Sequence, residues 1–370
     1  MKQFQLLIKP ASFDCNLRCQ YCFYLRVSKI YPKTKHPRMT EEVLDTTISK
    51  YLKYRFKESI FGWQGGEPTL MGLDFFKKVV KFQQKHGKSG QIIGNALQTN
   101  GILINENWGE FLSKYRFLVG LSLDGPKEIH DKYRRSKGGK SVWNKVMRAA
   151  KILEKFNVNF NILCVLSRAN INQAKKIYDF FIENGFRHIQ FIPAMELDEN
   201  GEVAQFCITP KQYGKFLIEI FNIWIKNPQE MQIRIFNAIL AYILNQKKGY
   251  CTLEKQCADY LVIEWNGDVY PCDFFVNEKY KLGNITIESF SELKQNKNKH
   301  FMNLKRNYAK ECEECKWLEL CHGGCVKDRK IKGKGLDNKT YFCEGYKLFF
   351  ETAYESFLKY VRVLKNQGIL

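Results

Sequence analysis

Six short β-rich runs alternate with segments of helical spacing over the first two-thirds of the chain, and this alternation limits the possible folds more than any other feature. The runs are Gln5 to Ile8, Ser59 to Trp63, Gln91 to Leu97, Phe117 to Leu123, Asn159 to Leu166 and His188 to Ile192. Between them, apolar residues recur at helical intervals in Thr40 to Phe56, Asp74 to His86, Asn107 to Tyr115, Val142 to Phe156 and Ile171 to Asn184. Val43, Leu44, Thr47, Ile48 and Leu52 share one face of the first of these helices, and Thr40 reads as its cap. Strand–helix–strand repetition implies right-handed crossovers and a parallel sheet, open or partly closed as a barrel. Ligands bind such sheets beyond the carboxyl ends of the strands. Lys211 to Asn245 is helical again, Asn266-Gly267 between two apolar runs signals a hairpin, and Tyr346 to Lys365 reads as an amphipathic helix.

No apolar run approaches the roughly 20 residues that span a bilayer. Phe4 to Ile8, followed by Lys9 and Pro10, is too short for a secretory signal. The expected location is therefore cytoplasmic, where thiols at regular spacings point to metal or redox chemistry rather than disulfides. The 13 cysteines are also an odd number. The net charge of +21 discriminates less, since it suits a nucleic acid, an anionic ligand or simply a lysine-rich codon bias.

Cys15-x3-Cys19-x2-Cys22 follows the first strand directly. Three thiolates on one short loop suit three corners of a cubane iron–sulfur cluster, or a zinc site completed by a distant fourth ligand. At the end of the second strand, Gln64-Gly65-Gly66-Glu67-Pro68 combines two glycines, which permit close backbone approach, with a carboxylate that can receive an ammonium group. The third strand ends in Gln98-Thr99-Asn100-Gly101 and the fourth in Ser122-Leu123-Asp124-Gly125-Pro126. Polar groups at successive strand ends form a ligand-binding rim that a purely structural sheet does not need.

Cys-x3-Cys-x2-Cys with Tyr21 before its last cysteine, followed by Gly-Gly-Glu-Pro, resembles the radical S-adenosylmethionine (SAM) enzymes. The resemblance covers the first 200 or so residues and implies an α/β fold, a partial (β/α)6 barrel, with a [4Fe-4S] cluster on Cys15, Cys19 and Cys22. It further implies that SAM chelates the open iron, that Gly66 and Glu67 hold its methionine moiety, and that Tyr21, Ser122, Arg134 and Met195 line the rest of the pocket. Met195 fits a core position equally well.

Eight cysteines fall between Cys251 and Cys343, enough for two fully ligated clusters or two zinc sites. Cys164, in an apolar strand, reads as a core thiol, and Cys207 has no partner spacing. Cys312-x2-Cys315-x5-Cys321-x3-Cys325 with Cys343 resembles the SPASM domain, a C-terminal extension of radical enzymes that act on peptides and proteins. That resemblance implies two auxiliary [4Fe-4S] clusters, one on Cys251, Cys257, Cys272 and Cys325, the other on Cys312, Cys315, Cys321 and Cys343. The resulting division is a radical SAM barrel over 1–210, a helical connection over 211–250, a SPASM domain over 251–345 and a C-terminal helix over 346–370.

Within this class the chain is most similar to the anaerobic sulfatase-maturating enzymes. The shared stretches include Leu7 to Ser12, Gln64 to Leu70, Leu97 to Gly101, Phe117 to Ile129, Phe160 to Val165, Val269 to Phe274 and Leu282 to Asn284. The similarity implies oxidation of a sulfatase cysteine or serine to formylglycine, begun by hydrogen abstraction by a 5′-deoxyadenosyl radical. Asp273 matches the family's proton acceptor; taken alone, an Asp after Pro-Cys is a hairpin-end cap. The implied partners are a sulfatase protein or peptide and a one-electron donor of the flavodoxin or ferredoxin type, with no nucleic acid, no membrane and a monomeric chain.

Two other readings compete. A radical maturase of another ribosomal peptide, forming thioethers or epimers, shares every cysteine, but its usual mark is a leader-binding domain and only 14 residues precede Cys15. A zinc protein drawn to nucleic acid by the positive charge leaves Gly-Gly-Glu-Pro and the strand-end rim without a task.

Overall fold

The computed structural model describes residues 2–331 and 335–369. Among these, ten strands are found: β1 (Gln5–Lys9), β2 (Glu58–Trp63), β3 (Ile92–Thr99), β4 (Leu118–Ser122), β5 (Phe160–Leu166), β6 (His188–Pro193), β7 (Gln232–Ile233), β8 (Tyr260–Glu264), β9 (Asp268–Tyr270) and β10 (Gly283–Asn284). The chain forms two compact units, each assembled from separate stretches. Met1–Ser122, Arg134–Asn161 and Asp259–Phe301 make the first; Leu123–Tyr133, Ile162–Ala258 and Met302–Leu370 make the second.

In the first unit the strand order is β10-β9-β8-β1-β2-β3-β4. Strands β1 to β4 run parallel, with Leu6 opposite Phe61, Phe61 opposite Asn95 and Ala96 opposite Leu118. Each of the six expected βα strands forms within two residues of its expected bounds. The Asn266-Gly267 hairpin also forms, pairing Val262 with Tyr270. Less foreseeable is its place: β8 lies parallel to β1, with Lys9 opposite Glu264, so the start of the cysteine-rich region extends the N-terminal sheet.

Local chemistry explains the helices. Thr40 Oγ1 accepts from the Val43 amide at the head of helix Glu41–Leu52, a cap that contributes about 1 kcal/mol. The helix stops short of Phe56, because the backbone turns left-handed at Arg55, φ 52°. Where Lys211 to Asn245 suggested one helical stretch, Pro210–Trp224 and Arg234–Ile243 are separated by Pro228 and β7, since proline cannot continue the backbone ladder.

Aromatic packing builds both cores. In the first unit Tyr51 meets Phe4 and Phe61 with ring centroids 5.2 and 5.1 Å apart. In the second, the C-terminal helix Cys343–Asn366 packs Phe357 onto Phe221 at 4.6 Å and Phe349 onto Phe236 at 5.6 Å. Its first turn crosses helix Pro210–Trp224 almost backbone to backbone: a Cβ on Gly345 would lie 2.2 Å from the Pro210 carbonyl. Two glycines, Gly214 and Gly345, permit that approach, which fixes where Cys343 sits.

Candidate functional site

In the first unit the carboxyl ends of β1 to β4 carry the polar residues singled out above. After β1 the chain turns through Ala11 to Asp14 and presents Cys15, Cys19 and Cys22. The Leu17 amide donates to Cys15 Sγ at 3.3 Å, and Asn100 Nδ2, from the loop after β3, lies 3.6 Å from the same sulfur and 2.7 Å from Asn16 Oδ1. The loop is pinned on its far side by Arg18 N to Arg135 O at 2.9 Å. Burial, and then the negative charge of Glu67, push the Cys15 thiol up to about 12, so loading iron there must expel a proton. Among the described residues no two cysteines are joined as a disulfide.

The Gly-Gly-Glu-Pro segment clasps this loop from below. Gly66 N donates to Ser12 O, and Glu67 N to Asp14 O at 2.8 Å. Glu67 itself is fully buried and turned inward. Its Oε1 accepts from Thr69 N (3.0 Å), Thr69 Oγ1 (2.7 Å) and Thr99 Oγ1 (2.7 Å), and its Oε2 accepts from Asn100 N (2.7 Å). The carboxylate therefore ties the end of β2 to that of β3, while the Gly66 and Glu67 amides and Asn100 Nδ2 reach the cysteine loop. A Cβ on Gly66 would stand 2.0 Å from the Asp14 carbonyl, a backbone atom that cannot step aside alone. Gly66→Ala is expected to displace the cysteine loop and cost about four of about twelve irons per chain, the content of one of three [4Fe-4S] clusters. Anaerobic iron analysis of the reconstituted variant checks this, and full iron content would refute it.

The remaining expected pocket residues of this unit are Tyr21, Ser122 and Arg134. The Arg134 guanidinium lies 5.5 Å over the Tyr21 ring, and Ser122 Oγ accepts from Gln98 Nε2 at 3.2 Å. Met195 lies in the second unit just after β6, buried, its carbonyl accepting from Lys327 Nζ at 2.7 Å.

Asp273 follows Cys272 at the end of β9 and is nearly buried. Its Oδ1 accepts from the Tyr260 hydroxyl at 3.0 Å, and that hydroxyl also lies 3.2 Å from Cys272 Sγ. Asp273 Oδ2 is 3.9 Å from Lys9 Nζ, an ammonium with no exposed side-chain surface. Lys9 also donates to Gln64 Oε1 at 2.7 Å and sits 4.6 Å over the Tyr24 ring; Tyr24 in turn donates to Glu264. Burial pulls the Lys9 ammonium down and lifts Glu264 to about 7; the nearby Asp273 charge is the main influence that opposes the change at Lys9. A buried ammonium survives only where such partners offset its lost hydration.

Sequence reasoning missed Lys9, Tyr24, Tyr260 and Glu264. A lysine closing the apolar strand QLLIK and a glutamate closing YLVIE were the available signals, because strand ends so apolar rarely finish on a charge without a buried partner.

In the second unit, Cys312, Cys315, Cys321 and Cys343 line one cavity together with Trp317, Leu318, Tyr346 and Phe350. Arg329, fully buried, knits the loops around them, donating to the carbonyls of Gly323 (3.0 Å), Asn307 (3.0 Å) and Lys305 (3.0 Å). Burial pulls the ammonium of Lys305 down, with Cys325, Cys257 and Cys251 acting against the change, and Lys305 donates to Thr252 O at 2.8 Å. Cys272 belongs to the first unit. Burial pushes the Cys321 thiol up to about 11 and the Cys325 thiol to about 12. Among the described residues no three Cys, His, Asp or Glu side chains close on a point that suits a single metal ion. Four thiols spread around a largely apolar cavity, two of whose lining residues, Thr340 and Trp317, carry a buried unpartnered hydroxyl and indole N–H, fit a cubane cluster, whose inorganic sulfurs accept such donors. Cys164 is a core thiol, as expected, donating to Asp124 O at 3.6 Å, and Cys207 is held by the backbone of Glu196.

A βα unit with three cysteines at its strand ends, joined in sequence to a cysteine-rich C-terminal region, defines a radical SAM protein with auxiliary clusters. Residues 10–181 match the radical SAM superfamily and residues 251–316 an iron–sulfur cluster-binding domain, SPASM. The cysteine-type anaerobic sulfatase-maturating enzyme of Clostridium perfringens is 41% identical over 99% of this chain and 100% of its own length. The serine-type enzyme of Bacteroides thetaiotaomicron is 35% identical over 99% and 93%. The solved structure of native anSMEcpe with bound AdoMet and the Cp18Cys peptide has a TM-score of 0.90 at 41% identity, covering 97% of this chain and 99% of that one. The chain belongs to the anaerobic sulfatase-maturating enzymes.

Proposed function

We propose that this chain oxidises an active-site cysteine or serine of a sulfatase to formylglycine, and that cysteine is the residue it prefers. Its higher identity to the cysteine-type than to the serine-type relative supports the preference. The observation that carries the reading is the placement of Asp273, a buried carboxylate next to Cys272, hydrogen-bonded to Tyr260 and facing the Lys9 ammonium.

Cys15, Cys19 and Cys22 hold the first [4Fe-4S] cluster, and Tyr21, Gly66, Glu67, Ser122 and Arg134 belong to the SAM pocket. Cys312, Cys315, Cys321 and Cys343 hold an auxiliary cluster, and Cys251, Cys257 and Cys325 contribute ligands to another. Bound at Cys15, Cys19 and Cys22 and reduced by a flavodoxin- or ferredoxin-type donor, a [4Fe-4S] cluster with SAM would supply a radical able to take a hydrogen atom from the substrate Cβ. Asp273 receives the thiol or hydroxyl proton at its carboxylate, the second electron passes to an auxiliary cluster, and with cysteine a water then replaces the sulfur, which leaves as hydrogen sulfide. Tyr260 and Lys9 hold that carboxylate in place, and Glu67 holds the cysteine loop. The substrate is a segment of the sulfatase chain, and the enzyme acts as a cytoplasmic monomer. Among the described residues no helix is long and apolar enough to cross a membrane.

The test is anaerobic: reconstituted enzyme, dithionite, SAM and a sulfatase-motif peptide bearing cysteine or serine, followed by mass spectrometry. A cysteine peptide that exchanges sulfur and two hydrogens for oxygen, faster than the serine peptide loses two hydrogens, is the expected result. Cleaved SAM beside an unaltered peptide would instead favour a maturase of some other ribosomal peptide.

A further inference from the structure

Two residues that line the four-cysteine cavity each carry a buried polar atom that lacks a partner among the described residues: Thr340 Oγ1 and Trp317 Nε1. Each is a hydrogen-bond donor shut away from water, and an unmet buried donor costs about 1–3 kcal/mol. Neither is free to turn elsewhere. The Trp317 ring is wedged between Phe350 and Tyr354, with centroids 5.6 and 5.2 Å away. Thr340 is only 3% exposed and packs so tightly on Gly324 that a Cβ there would meet its Cβ at 2.7 Å and its Oγ1 at 2.8 Å. Both residues are also tied through the backbone to cluster ligands. Trp317 O accepts from Cys321 N at 2.8 Å, and Thr340 O accepts from Cys343 N at 3.0 Å. The wall also includes Lys347, whose charge reaches Cys343, and the apolar Leu318, Tyr346 and Phe350.

We propose that Thr340 and Trp317 donate O–H and N–H hydrogen bonds to the sulfurs of the auxiliary cluster held by Cys312, Cys315, Cys321 and Cys343, and thereby raise its reduction potential. This rests on the cluster assignment made above. Donors aimed at the sulfurs stabilise the more negative, reduced form, in addition to the charges of Lys347, Lys305 and Arg329 that act on these cysteines. Thr340 and Trp317 are thus positioning residues for electron removal.

The experiment is a redox titration of the holoenzyme followed by electron paramagnetic resonance, with the relevant signal identified by its loss in Cys343→Ala. Thr340→Val and Trp317→Phe each shift that midpoint downward. In the double variant the reduced-to-oxidised ratio at the poise where the wild type is half reduced falls at least tenfold, a shift of about 59 mV for one electron. Thr340→Ser keeps the wild-type midpoint. In the wild-type sequence labelled with 15N-indole tryptophan, the same signal shows a nitrogen coupling, a readout that survives should a variant fail to load iron. Unmoved midpoints, or no nitrogen coupling, overturn the proposal while leaving the cluster in place. A Cys343→Ala protein with its full iron and all signals overturns the cluster assignment and the proposal together.

Discussion

Replacing Cys15, Cys19 and Cys22 together with alanine is expected to abolish SAM cleavage while the protein keeps its fold and its auxiliary iron. The loop that carries them is held by contacts that do not use the thiols: Leu17 bridges Ser136, Arg18 N bonds Arg135 O, and the Gly66 and Glu67 amides grip Ser12 and Asp14. Alanine at the three positions removes ligands without removing that scaffold. The cavity of Cys312, Cys315, Cys321 and Cys343 is built in the other unit from residues the substitution does not touch. Iron content should therefore fall by about one-third, the share of one [4Fe-4S] cluster in three. 5′-Deoxyadenosine measured under dithionite should fall to background. Cleavage that persisted in this variant would remove the triplet from the chemistry and leave the strand-end rim without its cofactor.

How much of this was readable in advance depended on how local each signal is. A 3.6-residue or two-residue apolar period is set by neighbours a few positions away, so the strands and helices of the βα repeat could be read along the chain, and Thr40 announced its own cap. The cysteine sets were readable because metal chemistry demands thiols at short spacing. The pairing of β8 with β1 could not be read in this way. Nothing in YLVIE names QLLIK as its partner, and without that pairing Lys9 and Glu264 are merely two charges at the ends of two apolar strands. The same holds for Glu67. Its motif marks a ligand-binding turn, but only the fold reveals that four donors from Thr69, Thr99 and Asn100 already occupy its oxygens. The orphan donors Thr340 and Trp317 carry no pattern in sequence at all, being defined by what is missing around them.

Asp273→Asn should leave SAM cleavage intact and reduce formylglycine by about a hundred-fold to ten-thousand-fold, the usual contribution of a positioned general base. The substitution changes almost nothing but basicity. An asparagine oxygen still accepts from the Tyr260 hydroxyl, now 3.0 Å from Asp273 Oδ1, and the side chain keeps its volume in a nearly closed site. What is lost is the acceptor oxygen 3.9 Å from Lys9, replaced by an amide that already carries its protons. A hairpin-end cap would behave differently, because its substitution lowers stability while turnover follows the amount of folded protein. The carboxylate here answers to Tyr260, Cys272 and Lys9, three groups with no part in closing the Asn266-Gly267 turn. Tyr260→Phe provides the comparison. It removes one hydrogen bond to the carboxylate, worth about 1 kcal/mol, so product formation should fall by about five- to tenfold. The two variants should melt close to the wild type, and the peptide should be recovered unoxidised from Asp273→Asn although 5′-deoxyadenosine accumulates. Wild-type product yield in that variant would take the proton from Asp273 and assign it to another group.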